Sequence, residues 1–223
     1  SADVEALISA NTPKKGSIWV DCTSGVPNSA NKLSAQLGQI GVDYLDAPVS
    51  GQTIGAERGT LTIMIGGDFE AFEKAKPIIQ AFAGLIEYVG ESGSGFAVKA
   101  INNTLMATHL WALAEGLTVL KSKGVDLSAA LSCINASSGK SNISENIMAQ
   151  RVLNRKFEKT FALDLLQKDI GIAVDLVEQA NLELSAMKLI QHEFNLIEKS
   201  EASQLDFSAA VQSLERKSSI QLN

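Results

Sequence analysis

The sequence predicts an α/β region followed by an all-helical region. Over residues 1–93 short apolar strand-like runs alternate with helix-like segments, which is typical of a sheet covered by helices. After Gly95 the apolar residues recur at helical spacing, and no further strand is indicated. The change in pattern predicts a domain boundary near residues 90–95, with one domain at 1–92 and the other at 93–223.

The α/β region contains four apolar runs that read as strands. The run that begins at Ser17 ends in Asp21, and the run that begins at Thr60 is closed by two glycines. The predicted strands are 17–21, 42–46, 60–65 and 85–89. The helices expected between and before them are 2–10, 27–38 and 69–81, the last of which includes Pro77.

The second region begins with a long helix-like segment. Residues 96–122 contain no proline and carry leucines at helical spacing, and Gly124 follows as a helix terminator. Shorter helices are predicted at 126–135, 143–153, 162–180, 185–199 and 206–214.

Composition excludes several classes of function. The chain has 223 residues, 45% of them hydrophobic, and a net charge of −6, which disfavours nucleic-acid and anionic-membrane partners. Two cysteines and two histidines lie apart without ligand spacing, so no metal site or disulfide framework is expected. No run of residues approaches a membrane span.

Lys99 is the first candidate for chemistry. It falls in the first turns of the long helix, where the macrodipole disfavours a cation, so its amine could exchange a proton near neutral pH. Asn102 and Asn103 lie on the same helix face, three and four residues on. The alternative is a solvated lysine on an amphipathic helix, although two adjacent asparagines inside a strong helix call for a reason.

Three polar segments are weaker candidates. In DAPVSG (46–51) a turn with Ser50 and Gly51 could bind a carboxylate or phosphate through backbone N–H groups, or be an ordinary strand exit. The glycines that follow suggest a flexible loop. NASSG (135–139) could order a polar ligand or simply connect helices, and Lys168-Asp169 is typical of a solvated helix face. Gly93-Ser-Gly95 is not a phosphate loop, because G-x-G-x-x-G occurs nowhere in the chain.

The order of these motifs is more specific than any one of them. D-x-x-S (21–24), DAPVSG (46–51), G-x-L-T-I-M-I-G-G (59–67), G-x-G-x-x-x-K-x-x-N-N (93–103), N-x-S-S-G (135–139) and K-D (168–169) follow one another. The chain thereby resembles the β-hydroxyacid dehydrogenase family, which includes 3-hydroxyisobutyrate dehydrogenase and tartronate semialdehyde reductase. The resemblance implies the C-terminal part of a Rossmann-type dinucleotide-binding domain followed by an all-helical domain.

The resemblance also implies roles for individual residues. Lys99 corresponds to the catalytic acid/base, and Asn103 to the asparagine that contacts the substrate beside it. Ser50 and Gly51 correspond to the loop that binds the substrate carboxylate. Ser24 and Lys168 correspond to residues on the cofactor, Ser24 on the nicotinamide side and Lys168 from the helical domain.

Two departures from the family pattern stand out. The family motif reads DAPVSGG, whereas Gln52 replaces the second glycine here and could narrow the pocket or restrict the loop. The N-terminal βαβ with its G-x-G-x-x-G is not in the chain, so the sequence is expected to be a fragment of such an enzyme.

The resemblance implies an NAD- or NADP-dependent oxidoreductase that interconverts a short 3-hydroxy acid, similar to 3-hydroxyisobutyrate, and its semialdehyde or keto acid. The alternative is a truncated, inactive fragment that dimerises. A homodimer or homotetramer formed through the helical domain is expected, in the cytoplasm or, alternatively, the mitochondrial matrix.

Overall fold

A computed structural model describes residues 2–11 and 13–223. The chain divides into two compact units, residues 1–101 and 102–223. The division falls within one long helix, α5 (Ser94–Ser122). The boundary predicted between residues 92 and 93 lies just before the beginning of that helix.

The first unit is built on a mixed sheet that has five strands among the described residues. They are β1 (Ile18–Asp21), β2 (Asp43–Asp46), β3 (Val49–Ser50), β4 (Leu61–Gly67) and β5 (Ala83–Gly90). β1 pairs with β2 in parallel, and β4 pairs with β5 in parallel. β2 and β3 both pair with β4 in the antiparallel direction.

β2 and β3 form one interrupted strand along β4. Asp46 lies opposite Gly66 and Ser50 lies opposite Thr62, so the register is the same on both sides of Ala47-Pro48. Across the interruption the Met64 N–H donates to the Pro48 carbonyl at 3.2 Å. The DAPVSG segment is therefore held by the sheet over most of its length. The flexible loop suggested by the glycines after it is wrong, because Gly55 lies in a helix and Gly66 and Gly67 end β4. A short helix, α3 (Gln52–Glu57), follows immediately.

The other helices of this unit are α1 (Ala2–Ala10), α2 (Pro27–Gly38) and α4 (Phe69–Ile79), close to their predicted positions. α4 begins where the Asp68 carboxylate accepts the Ala71 N–H at 2.9 Å, which satisfies one of the free amides of the first turn. Its apolar face packs with the buried residues of β2 and β4 in one core. A second core lies under α2 and includes Tyr44 and Phe96.

The second unit is helical. After α5 come α6 (Leu127–Asn135), a π-helix (Ile143–Leu153), α7 (Leu163–Gln179), α8 (Ser185–Asn195), α9 (Lys199–Ala202), a 3₁₀ turn (Phe207–Ala210) and α10 (Val211–Ser218). Two single helices predicted from the sequence, 185–199 and 206–214, are each divided in two. The α/β unit and the helical unit confirm the predicted fold class.

One core holds the second unit together. It includes Leu110, Leu117, Leu166, Phe194 and Phe207, all fully buried. Across the described residues, no helix is both long and apolar enough to cross a membrane.

Candidate active site

Asp21 organises the loop that follows β1. One carboxylate oxygen accepts the Thr23 N–H at 2.9 Å, and the other accepts the Tyr44 hydroxyl at 2.7 Å. Burial raises the pKa of Tyr44 well above its ordinary value, and the contact with Asp21 raises it further, so the phenol stays a donor. The D-x-x-S turn is thus fixed by its own aspartate, and Ser24, half-buried, stands at its end.

Asp46, at the end of β2, holds the beginning of α5. Its fully buried carboxylate accepts the N–H of Gly93 at 2.7 Å and the N–H of Phe96 at 2.9 Å. Burial raises the pKa of Asp46, and the backbone N–H groups that it accepts oppose that rise. A carboxylate at a helix N-terminus satisfies free amides and complements the dipole.

Glycine is required where the helix meets the sheet. A Cβ on Gly95 would lie 2.4 Å from the Met64 carbonyl oxygen and 2.6 Å from that of Asp46. The first turn of α5 therefore lies directly on the end of β2 and the middle of β4. This contact explains the second glycine of the G-x-G-x-x-x-K motif by close packing.

The same helix turn contacts the loop that carries Ser24. A Cβ on Gly25 would lie 2.4 Å from the Phe96 ring, so the loop and the ring are packed together. Lys99 lies one turn after Phe96 and is half-buried. The structure thus brings the D-x-x-S loop against the part of α5 that leads to Lys99.

Ser50 and Gly51 follow Asp46 along the strand that lies on β4. Gly51 has a φ of 135°, and Gln52 has a φ of 58°, in the left-handed region that favours glycine. The family glycine is therefore replaced at a position whose backbone suits glycine better. Ser50 is half-buried, and Gly51 and Gln52 are exposed at the beginning of α3.

In the second unit, Asn103 and the Lys168-Asp169 pair come together. Asn103 is 3% exposed and donates from Nδ2 to Asp169 Oδ2 at 2.6 Å. Lys168 Nζ lies 3.2 Å from Asp169 Oδ1. The solvated face expected at this pair is correct for Lys168, whose side chain is 43% exposed, and wrong for Asp169, which is 1% exposed.

The sequence predicted no role for the aspartates Asp21, Asp46 and Asp169. Each orients a predicted site segment through its carboxylate. Asp21 and Asp46 could have been found, because each ends an apolar strand and precedes a motif residue. Asp169 had no such signal, because an acid beside a lysine in a helix is usually exposed.

The loop after β1 lies at the carboxyl end of a parallel strand and presents Ser24, whose hydroxyl can both donate and accept a hydrogen bond. The carboxyl end of a Rossmann strand is where dinucleotide cofactors bind. In the part of the chain that is described, no group of three or more His, Cys, Asp or Glu could hold a metal ion.

A Rossmann-like α/β unit followed by a helical unit, with Lys99 on the long helix where they meet in sequence, is the architecture expected of a nicotinamide-dependent dehydrogenase. A family model described as the NAD-binding domain of NADP-dependent 3-hydroxyisobutyrate dehydrogenase matches residues 93–214, more than half of the chain. Another, the NAD-binding domain of 6-phosphogluconate dehydrogenase, matches residues 1–90. The chain belongs to the NAD(P)-dependent β-hydroxyacid dehydrogenase family.

Individual relatives agree with this assignment. The chain is 39% identical over 171 residues to 2-(hydroxymethyl)glutarate dehydrogenase of Eubacterium barkeri, covering 77% of this chain and 57% of that protein. It is 36% identical over 201 residues to 2-hydroxy-3-oxopropionate reductase of Escherichia coli, covering 90% and 68%. This chain therefore spans between about half and two thirds of the length of these two relatives.

A solved structure gives the same result. The 3-hydroxyisobutyrate dehydrogenase of Mycobacterium tuberculosis, determined with L-serine, superposes with a TM-score of 0.86 at 25% identity. The match covers 96% of this chain and 76% of that one.

Proposed function

We propose that the protein to which this chain belongs is an NAD(P)-dependent oxidoreductase of a short 3-hydroxy acid. It interconverts the hydroxy acid, similar to 3-hydroxyisobutyrate, and its semialdehyde or keto acid. The observation that supports this most directly is the start of α5, where a buried carboxylate and close-packed glycines give the helix that carries Lys99 a fixed origin.

Lys99 is the proposed acid/base. In oxidation its amine takes the proton from the substrate hydroxyl, and in reduction its ammonium returns a proton to the carbonyl oxygen. Because Phe96 is held both by Asp46 and by the packed Gly25, the turn that precedes Lys99 has little freedom to move. A fixed amine is what a proton transfer over hydrogen-bond distance requires.

The substrate contacts are assigned to Ser50, Gly51 and Asn103. Ser50 and Gly51 bind the carboxylate, and the pairing of Ser50 with Thr62 fixes their backbone. Asn103, four residues after Lys99 in the same helix, donates an N–H to the reacting oxygen. Ser24 and Lys168 hold the cofactor, and the bound nicotinamide supplies or accepts the hydride.

The test of the acid/base is Lys99→Ala in the whole protein. We expect kcat to fall by roughly 10²- to 10⁴-fold, because general acid/base catalysis contributes about that much, with cofactor affinity nearly unchanged. Lys74→Ala, at an exposed position of α4, is the matched control and keeps full activity. A kcat close to that of the wild type in the Lys99 variant would refute the assignment.

Calorimetric titration of this chain with NAD(H) and NADP(H) tests the alternative, an inactive fragment that dimerises. Binding similar to that of an intact dehydrogenase refutes the fragment interpretation, and absence of binding supports it. A homodimer or homotetramer formed through the helical domain stays a prediction, as does a cytoplasmic or mitochondrial location.

A further inference from the structure

The buried contact between Asp169 and Asn103 joins two distant parts of the second unit. Asp169 lies in the first half of α7, and its carboxylate accepts from the Asn103 side chain, 66 residues earlier on α5. Both residues are almost completely buried. An ionised carboxylate with so little exposure to solvent is costly in free energy unless it is paired. The Asp169 carboxylate therefore needs partners such as Asn103.

The carboxylate decides how the Asn103 amide is oriented. A carboxylate only accepts hydrogen bonds, so the Asn103 Nδ2 must face Asp169. The Oδ1 then faces the other way and accepts from Asn102 Nδ2 at 3.2 Å. With one Nδ2 hydrogen bound by Asp169, the second remains to donate to an oxygen of a ligand.

The same carboxylate forms an ion pair with the neighbouring lysine. Lys168 Nζ lies 3.2 Å from Asp169 Oδ1, while 43% of the lysine side chain is exposed. An exposed ion pair adds little to stability, because water screens it. The ion pair places the ammonium group beside the buried carboxylate that also accepts from Asn103.

From these contacts we propose that Asp169 is a positioning residue for the reaction. It fixes the Asn103 amide with N–H as the group offered to the hydroxyl or carbonyl oxygen of the substrate, and it anchors the ammonium of Lys168. This inference rests on the proposed function. It adds that the aspartate of the K-D pair acts through Asn103 and Lys168 and does not touch the substrate.

Asp169→Asn separates positioning from structural support. The amide keeps the size of the side chain and can accept from Asn103, but it can also donate, so it no longer dictates the orientation of Asn103. It also removes a buried charge. We expect thermal stability equal to or above that of the wild type. We expect kcat to fall roughly 10- to 100-fold, because small misplacements of reacting groups reduce the rate by about that much.

Two further variants complete the experiment. Asp169→Ala leaves Asn103 without its acceptor and should lose both stability and kcat. Asp175→Asn, at an exposed position of the same helix, is the matched control and should change neither. If Asp169→Asn keeps the wild-type kcat, or loses activity only in proportion to its loss of stability, the proposal is wrong.

A second measurement does not depend on turnover. In the wild type, the two side-chain amide protons of Asn103 should be widely separated in a ¹H–¹⁵N spectrum, because one donates to a charge. That separation should shrink in Asp169→Asn and in Asp169→Ala, and an unchanged separation would contradict the proposed contact. If the wild-type protein oxidises no hydroxy acid while the separation is present, the proposed function fails and the orientation of Asn103 by Asp169 stands.

Discussion

Buried carboxylates are the residues that organise this protein at the smallest scale. Asp21, Asp46 and Asp169 each accept hydrogen bonds that fix a segment carrying a predicted site residue. Hydrogen bonds to a charged group are stronger than neutral ones, and a buried acceptor left without donors is costly. Their effect is to make the positions of neighbouring loops and side chains specific.

The buried carboxyl of Asp46 leads to a prediction about pH. Burial raises the pKa of Asp46 in the folded chain above its value in the unfolded chain, which is about 4. Between these two pKa values the folded state binds more protons than the unfolded state. The contribution of Asp46 to the free energy of unfolding therefore falls as pH rises through that window. Asp46→Asn does not titrate, so the stability of the wild type minus that of the variant should decrease over the same range and then level off.

Urea unfolding of both proteins across a series of pH values measures this difference. Asp43→Asn, at an exposed position of the same strand, controls for the change in net charge. A difference that stays constant, or that increases with pH, would show that burial of Asp46 does not dominate its titration.

At the scale of elements, the start of α5 is decided by close packing against the sheet. The sequence pattern predicted a helix from residue 96, and the helix begins at Ser94 because Asp46 binds the Gly93 and Phe96 amides. The same helix shows the limit of periodicity. Leu110 and Leu117 are fully buried, whereas Leu105, in the same predicted apolar pattern, is 49% exposed.

Alanine substitutions at two glycines of α5 test this packing, one at the sheet and one away from it. Gly95→Ala puts a Cβ within 2.4 Å of a backbone oxygen, so the first turn has to move away from the sheet. We expect a loss of about 1 to 3 kcal/mol in stability, as for overpacking, together with a lower kcat because the turn before Lys99 is displaced.

Gly116→Ala is the matched control, since a Cβ there meets nothing within 4 Å. It should raise the free energy of unfolding by up to about 1 kcal/mol through helix propensity, without changing kcat. Thermal unfolding and steady-state kinetics measure both effects. Equal stability changes in the two variants would mean that α5 does not lie against the sheet as described.

At the scale of the whole molecule, the chain consists of two units with their own cores. The buried residues of the sheet and its helices form the cores of residues 1–101, and those of the helices form the core of residues 102–223. The two family models match the chain in nearly the same two parts, 1–90 and 93–214.

Because each unit has its own core, a cavity made by substitution in one core should destabilise mainly that unit. Ile63→Ala, at a fully buried position of β4, should cost about 2 to 5 kcal/mol and raise amide hydrogen exchange mainly within residues 1–101. Leu166→Ala, equally buried in α7, should raise exchange mainly within residues 102–223. Exchange that rises uniformly over both units in either variant would indicate one cooperative core.

The sequence alone predicts the type and order of most elements, the change from α/β to helix, and the family. These features depend on periodicity and on motifs, which are local and can be read along the chain. It missed β3 and α3, because a two-residue strand and a six-residue helix are too short for a periodic signal. The strand exists only because β4 continues beside it.

Which polar residues are buried, and which groups they contact, depends on the tertiary structure. Asp46 contacts Gly93 across 47 residues, and Asp169 contacts Asn103 across 66. Nothing in the neighbouring residues encodes such pairs, since they form only when distant elements pack. For that reason Lys99 and Asn103 could be proposed from the motif, while the aspartates that contact the start of α5 and the Asn103 amide could not be found.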